Sequence, residues 1–187
     1  ANYFTHRPID AAIQLATEHD LNADDIHSVI VDFPNFHYVD RPEPENGLDG
    51  KFSVQYTTTV ALLDRKVKVA TFSDKRRFAE DVTALLPKVH LNMRNDIPRS
   101  FQDCYAVVRV KTKTGKELVE RCDKPRGMWG HPLTHDERLA KFRDCCEFAL
   151  PNRHIEKVIE LVEKLESLDN ITELMDIIRV GKAHTPE

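Results

Sequence analysis

The chain has 187 residues, of which 41% are hydrophobic and 31% charged, with a formal net charge of -4 and a mean hydropathy of -0.48. That is apolar material enough for one large domain with appended helices, and no apolar run reaches the length of a membrane span. Basic residues are scattered among acids, which argues against a nucleic-acid partner, whose binding needs a basic face. Cys104, Cys122, Cys145 and Cys146 form no CxxC pair, so they read as reduced thiols of a cytoplasmic protein (mitochondrial matrix if eukaryotic), and the grouped spacing of a zinc site is missing. The opening ANYFTHRP lacks the basic and apolar regions of a secretory signal.

In chain order, Pro8 suits the first turn of a helix, and Ile9, Ala12, Ile13 and Ala16 give it an apolar stripe ending near Asp20. IHSVIVDF, residues 26–33, is rich in β-branched residues and reads as a strand closed by Pro34. Residues 36–39 form a further short piece, and residues 40–50 a polar loop. KFSVQYTTTVALLD, residues 51–64, places Phe52, Tyr56, Val60 and Leu63 at i, i+4, i+8 and i+11 on one helix face. A helix over residues 75–86 follows, capped by Ser73 or Asp74, with Phe78, Val82 and Leu85 or Leu86 inward. KVHLNMR alternates as a half-exposed strand, and YAVVRVKT with residues 117–122 makes a hairpin turning at Gly115.

The pattern changes after Asp123. KPRGMWGHPL has no period and marks a boundary. Thr134 and Glu137 have capping-box spacing for HDERLAKFRDCCEFAL, and Asn152 is placed to cap RHIEKVIELVEKLESL. A short helix ITELMDIIRV follows, with Gly181 as its C-terminal cap and a fraying tail. The expected fold is α+β: an antiparallel sheet with helices on one face over residues 1–124, then linker and C-terminal helices over residues 125–187. The stripes Ile155, Val158, Ile159, Val162 and Leu174, Ile177, Ile178 need cover from each other, from the sheet domain or from another helical body.

No GxSxG, P-loop, GxGxxG or HExxH occurs. His90 falls on the polar face of its strand, and His131 in the GMWGHPL loop. His6 stands just before a helix N-terminus, where capping competes with catalysis as its role. Tyr56 reads from periodicity as a core tyrosine with its hydroxyl at the rim.

Two stretches, KFSVQYTTTVALLDRKV and GHPLTHDERLAKFRDCCEFAL, resemble signatures of the MmgE/PrpD family, and ANYFTHRPIDAA resembles the start of that family's lid domain. The resemblance runs the length of the chain and is specific mainly at these three places. It implies the C-terminal α+β lid of a larger enzyme, with helices that return to an N-terminal helical domain outside these residues. Family members include 2-methylcitrate dehydratase, cis-aconitate decarboxylase and iminodisuccinate epimerase. They need no metal or organic cofactor and move a proton next to a carboxylate of a small polycarboxylate, in the cleft between lid and helical domain. The resemblance makes Tyr56 and His6 candidate catalytic residues, and Asn2 and Tyr56 candidate substrate contacts. It turns Tyr56 toward the cleft and leaves Phe52, Val60 and Leu63 as core. Asn2 falls where the decarboxylase carries a histidine and the methylcitrate dehydratase a different polar residue, a departure from the decarboxylase pattern, whereas His6 matches a nearby histidine of the decarboxylase-like sequences.

The expectation is therefore a 2-methylcitrate dehydratase-like hydro-lyase, inactive as this piece alone and prone to homodimerise. A non-catalytic dimerisation or interaction module is the alternative. An RNA-binding sheet is disfavoured by the acidic charge and the lack of a paired aromatic platform.

Overall fold

Val29, Val31 and Phe33 alternate along β1 (Ile26–Pro34), and all three are sealed from solvent. The computed structural model describes residues 1–180. The expected cap at Gly181 and the tail after it lie outside the described residues. The chain divides into two compact units, Ala1–Pro132 and a second beginning at Leu133.

In the first unit β1 is flanked by β2 (Val89–Arg94) and β3 (Ala106–Thr112), and β4 (Glu117–Cys122) completes the order β2-β1-β3-β4. β3 pairs antiparallel with β1 (Val31 opposite Val108) and with β4 (Val108 opposite Glu120). The hairpin turns at Gly115, whose φ of +86° suits a residue without Cβ. The α+β class is as expected, but the sheet is not wholly antiparallel. β2 runs parallel to β1, with Val29 opposite Val89 and Phe33 opposite Met93. A parallel pair needs a long crossover, and the chain between β1 and β2 supplies one.

α1 (His6–Glu18) lays Ile9, Ala12, Leu15 and Ala16 on the sheet. Its end is a Schellman turn: Asp20 takes φ of +43°, and Leu21 N–H donates to the Ala16 carbonyl at 3.1 Å. α2 (Val54–Asp64) begins at Ser53, whose Oγ accepts from Tyr56 N–H at 2.9 Å. Residues 49–52 are a 3-10 turn ahead of it, so Phe52 is off the helix. The sequence places Phe52 in the core; it is instead 39% exposed, with the Arg41 guanidinium 5.2 Å over its ring. Nor is α2 amphipathic. Val54 through Leu62 are buried on every side. Thr57 and Thr59 tolerate this because their hydroxyls donate to the carbonyls of Ser53 and Gln55, at 2.7 and 2.8 Å.

The single helix expected over residues 75–86 is two, α3 (Asp74–Arg77) and α4 (Glu80–Leu85). Ala79 is extended, with ψ of 146°. Arg77 is buried and its Nε donates to the Pro44 carbonyl at 2.9 Å, while Arg76 bridges Asp64 and Asp81. These anchors hold the first turn out of register with the second. Phe78 therefore stands outward, 57% exposed, and Val82, Leu85 and Leu86 face in.

The second unit holds α5 (His135–Cys146), α6 (Asn152–Glu163) and α7 (Thr172–Val180). The capping box forms as spaced: Thr134 Oγ1 accepts from Glu137 N–H, and Glu137 accepts from Thr134 N–H. Asn152 is the first helical residue of α6, and Pro151 takes the cap position. Val158, Leu161 and Leu174 form a small core with Phe142, Leu150, Leu168 and Ile177. Leu161 takes the buried place expected of Val162, which is exposed, as is Ile178.

Candidate functional site at the start of the chain

The first six residues form a knot rather than a loose end. Asn2 caps the 3-10 turn Tyr3–Thr5: its Oδ1 accepts from Phe4 N–H at 3.0 Å. Its carbonyl accepts from the Thr5 hydroxyl at 2.7 Å, and its own N–H donates to the Lys51 carbonyl at 2.7 Å. Three of its groups are thus spent on local structure. His6 is the first residue of α1 and half-buried, with its ring 5.4 Å from that of Tyr3. The helix is capped from Thr5, without a side-chain bond.

Beneath this knot lies Arg7, fully buried. Its Nε donates to the Asp123 carbonyl at 3.0 Å and its Nη2 to the Phe101 carbonyl at 2.7 Å, with Met128 Sδ at 3.7 Å. The guanidinium carbon sits 5.1 Å over the Phe101 ring, and Nη1 has no partner. A buried cation with only neutral partners is costly. It bolts the start of α1 to the segment before β3 and to the segment after β4. Sequence reading missed Arg7. The signal was there: Arg7, Ala11 and Leu15 share one helix face at i, i+4 and i+8, so a charge occupies an apolar register position.

Tyr56 is not at the surface, and the expected cleft-facing edge position is corrected here. Its ring is fully buried against Val60, Val82 and Leu86. Its hydroxyl donates to the Thr71 carbonyl at 2.5 Å. Burial pushes the phenol up to about 12. Gly50 lies against the ring: a Cβ there would stand 2.5 Å from Tyr56 Cδ1. The physical reason is that α2 is central and leaves no free face for a phenol. Asn2 reaches Tyr56 only through residues 50 and 51, which separate them. The structure thus brings Asn2 and His6 together at the start of α1 and places Tyr56 in the core below.

Next to the knot is an open cleft of about 530 Å³ lined by Phe4, Asn35, Phe36, His37, Tyr38 and Arg99. Phe4 meets Phe36 edge-on at 4.7 Å, and Tyr38 at 6.0 Å. Phe33 ends its strand inward, Pro34 closes the strand, and the next residues turn their rings toward Phe4. Burial raises the Tyr38 phenol, with the neighbouring Cys104 adding to it. His131 lies elsewhere, its Nδ1 2.9 Å from the Lys124 carbonyl. Among the described residues no three His, Cys, Asp or Glu side chains gather as metal ligands, and no helix is long and apolar enough to cross a membrane.

The sequence matches the profile described as the MmgE/PrpD C-terminal domain over residues 1–167. It is similar to cis-aconitate decarboxylase of Mus musculus, 32% identical over 84% of this chain and 32% of that protein. It is similar also to cis-aconitate decarboxylase of Homo sapiens, 30% identical over 96% of this chain and 38% of that protein. A decarboxylase of the same name from Aspergillus terreus is 24% identical over 75% of this chain and 29% of that protein. The chain spans about a third of the length of these curated relatives. With the family profile covering most of its residues, the chain belongs to the MmgE/PrpD family.

Proposed function

We propose that the chain is the C-terminal part of a lyase that acts on a small di- or tricarboxylate by proton transfer beside a carboxylate. The observation that carries this reading is the family match over residues 1–167, together with relatives named for a lyase reaction on a tricarboxylate. The local electrostatics support a polyanionic ligand. α1 has no acid in its first turn, so the positive end of its dipole is not neutralised there. Arg7 adds a buried positive charge just below. Removing a proton next to a carboxylate builds enolate-like charge, which calls for a base of near-neutral pKa and for donors aimed at that charge. In this reading His6 handles the proton and the Asn2 Nδ2 group donates to a substrate oxygen. Tyr56 supports the ground beneath Asn2 without touching substrate. An N-terminal helical domain supplies the remaining groups.

Within this class we favour 2-methylcitrate dehydration, because Asn2 departs from the histidine of the decarboxylase pattern. The test is turnover by a polypeptide of the relatives' length that carries this chain. Dehydration of 2-methylcitrate without decarboxylation of cis-aconitate supports the specific reaction. Decarboxylation of cis-aconitate overturns it but keeps the lyase reading, and inactivity on both, and on iminodisuccinate, overturns the enzyme reading. The 187-residue chain by itself is expected to be inactive.

A second reading, an interaction module that pairs with its own copy, is favoured by one observation. Ile171, Met175 and Ile178 make an exposed stripe on and just before α7, at 55%, 45% and 47% exposure. Sedimentation of the chain decides it: a monomer at all concentrations removes this reading.

A further inference from the structure

We propose that Asn46–Gly47 is a site of spontaneous covalent modification, where the asparagine side chain closes on the next backbone nitrogen as a cyclic imide, and that Asp74 holds this site shut in the folded chain. The inference stands on the loop before α2 and does not depend on the lyase reading.

In this reaction the Gly47 nitrogen gives its proton to solvent and attacks Asn46 Cγ. The Cγ–Nδ2 bond breaks, and the side-chain nitrogen leaves as ammonia. Water then opens the imide at either carbonyl, leaving aspartate or β-linked isoaspartate at position 46. Asn46 is the only asparagine of the chain followed by glycine, and a residue without Cβ leaves its backbone nitrogen least hindered. The fold fixes the pair. Gly47 is buried, and a Cβ there would stand 2.4 Å from the Ser73 carbonyl carbon, so a larger residue has to displace backbone. Asn46 is equally committed. Its Oδ1 accepts from Asp49 N–H at 2.8 Å, and its carbonyl accepts from Gly50 N–H at 3.1 Å, which closes the turn leading into α2.

These bonds treat the two reacting groups oppositely. The Asp49 N–H reaches the oxygen that gains negative charge when Cγ is attacked, which is the arrangement of an oxyanion donor. The electrophile is thus primed. The nucleophile is masked: Gly47 N–H donates to Asp74 Oδ1 at 2.8 Å. That proton must leave before the nitrogen attacks, and a carboxylate against it opposes the loss, because the amide anion and the carboxylate repel. Asp74 is the first residue of α3, so the mask exists only while the loop and α3 are folded together. Isoaspartate adds one carbon to the backbone. It draws the residue 46 carbonyl away from Gly50, the glycine that lies against the Tyr56 ring.

The experiment incubates the 187-residue chain at neutral pH and follows conversion at residue 46 by peptide mapping, with mass spectrometry for the amide-to-acid change and enzymatic methylation for isoaspartate. The parent should convert slowly when folded. Asp74→Ala and the urea-unfolded parent should each convert about tenfold faster or more, the factor that loss of one charge-assisted bond implies. Asp74→Asn, which keeps an acceptor without the charge, should fall between. Asp74 is exposed, so these changes leave the core intact. Ser73→Ala separates the mask from general loosening. It removes the side chain that caps α3 by accepting from Arg76 N–H and leaves the Gly47 bond in place, so it should convert at the parent's rate. The proposal is overturned by any of four results: equal conversion of the folded and urea-unfolded parent, no acceleration in Asp74→Ala, slower conversion in Asp74→Ala, or Ser73→Ala converting as fast as Asp74→Ala. The third result would make the carboxylate a base for the reaction, and the fourth would make loop opening the control.

Discussion

Replacing Tyr56 by phenylalanine removes one oxygen from a fully buried ring and leaves its packing on Val60, Val82 and Leu86 in place. The Thr71 carbonyl loses the donor that now reaches it at 2.5 Å. A buried acceptor left without a partner costs about 1–3 kcal/mol. For a chain of this size each kcal/mol moves Tm by about 2–4 °C. Urea unfolding followed by far-ultraviolet circular dichroism should therefore show a lower midpoint for Tyr56→Phe with an unchanged slope. The pH dependence gives an independent arm. Burial raises the phenol from 10.0 to about 12, so the folded state holds the neutral form more tightly than the unfolded chain does. That contribution is complete below the unfolded pKa and is lost as pH rises from 10 toward 12; its full size is about 3 kcal/mol at most. Tyr56→Phe should flatten this alkaline loss. Equal stability of the two proteins at neutral pH, together with a Tyr56 phenol titrating at its ordinary value, would refute the core assignment and return Tyr56 to the surface.

Three further outcomes follow from packing and capping. Gly50→Ala should destabilise the first unit by about 1–3 kcal/mol, because its Cβ would stand 2.5 Å from Tyr56 Cδ1; a melt matching the parent would show that the ring yields freely. Asp32 is 3% exposed and accepts from Arg109 Nε at 3.0 Å and from Asn92 Nδ2 at 2.7 Å. Asp32→Asn, measured by urea unfolding, should cost about 1.5–3 kcal/mol through the lost charge-assisted bonds, and high salt should narrow the gap only slightly because the carboxylate is buried. Thr134→Ala should cost the second unit about 1 kcal/mol by opening the capping box of α5. Hydrogen exchange at the first-turn amides of α5 reports it, and unchanged protection there would show that the cap contributes nothing.

What the sequence by itself determined is the local part. The stripe of α1, the β-branched run of β1, the hairpin at Gly115 and the capping box at Thr134 are set by neighbours a few residues apart, so period and turn chemistry suffice to read them. The family was legible for the same reason, since its signatures are contiguous. Tertiary structure decided the rest. The parallel pairing of β2 with β1 depends on a crossover between distant residues. The burial of α2 on all sides depends on what covers its polar-looking threonines, and periodicity cannot count the layers around a helix. Tyr56 turned inward because α4 and the Thr71 carbonyl close over it. Asn2 and His6 were readable as a pair because they are close in sequence, and Arg7 beneath them carried a signal in its apolar register position, but the cleft of Phe4, Phe36, Tyr38 and Arg99 beside them was not readable. Those groups lie far apart along the chain, and only packing against the end of β1 brings their rings and charges together.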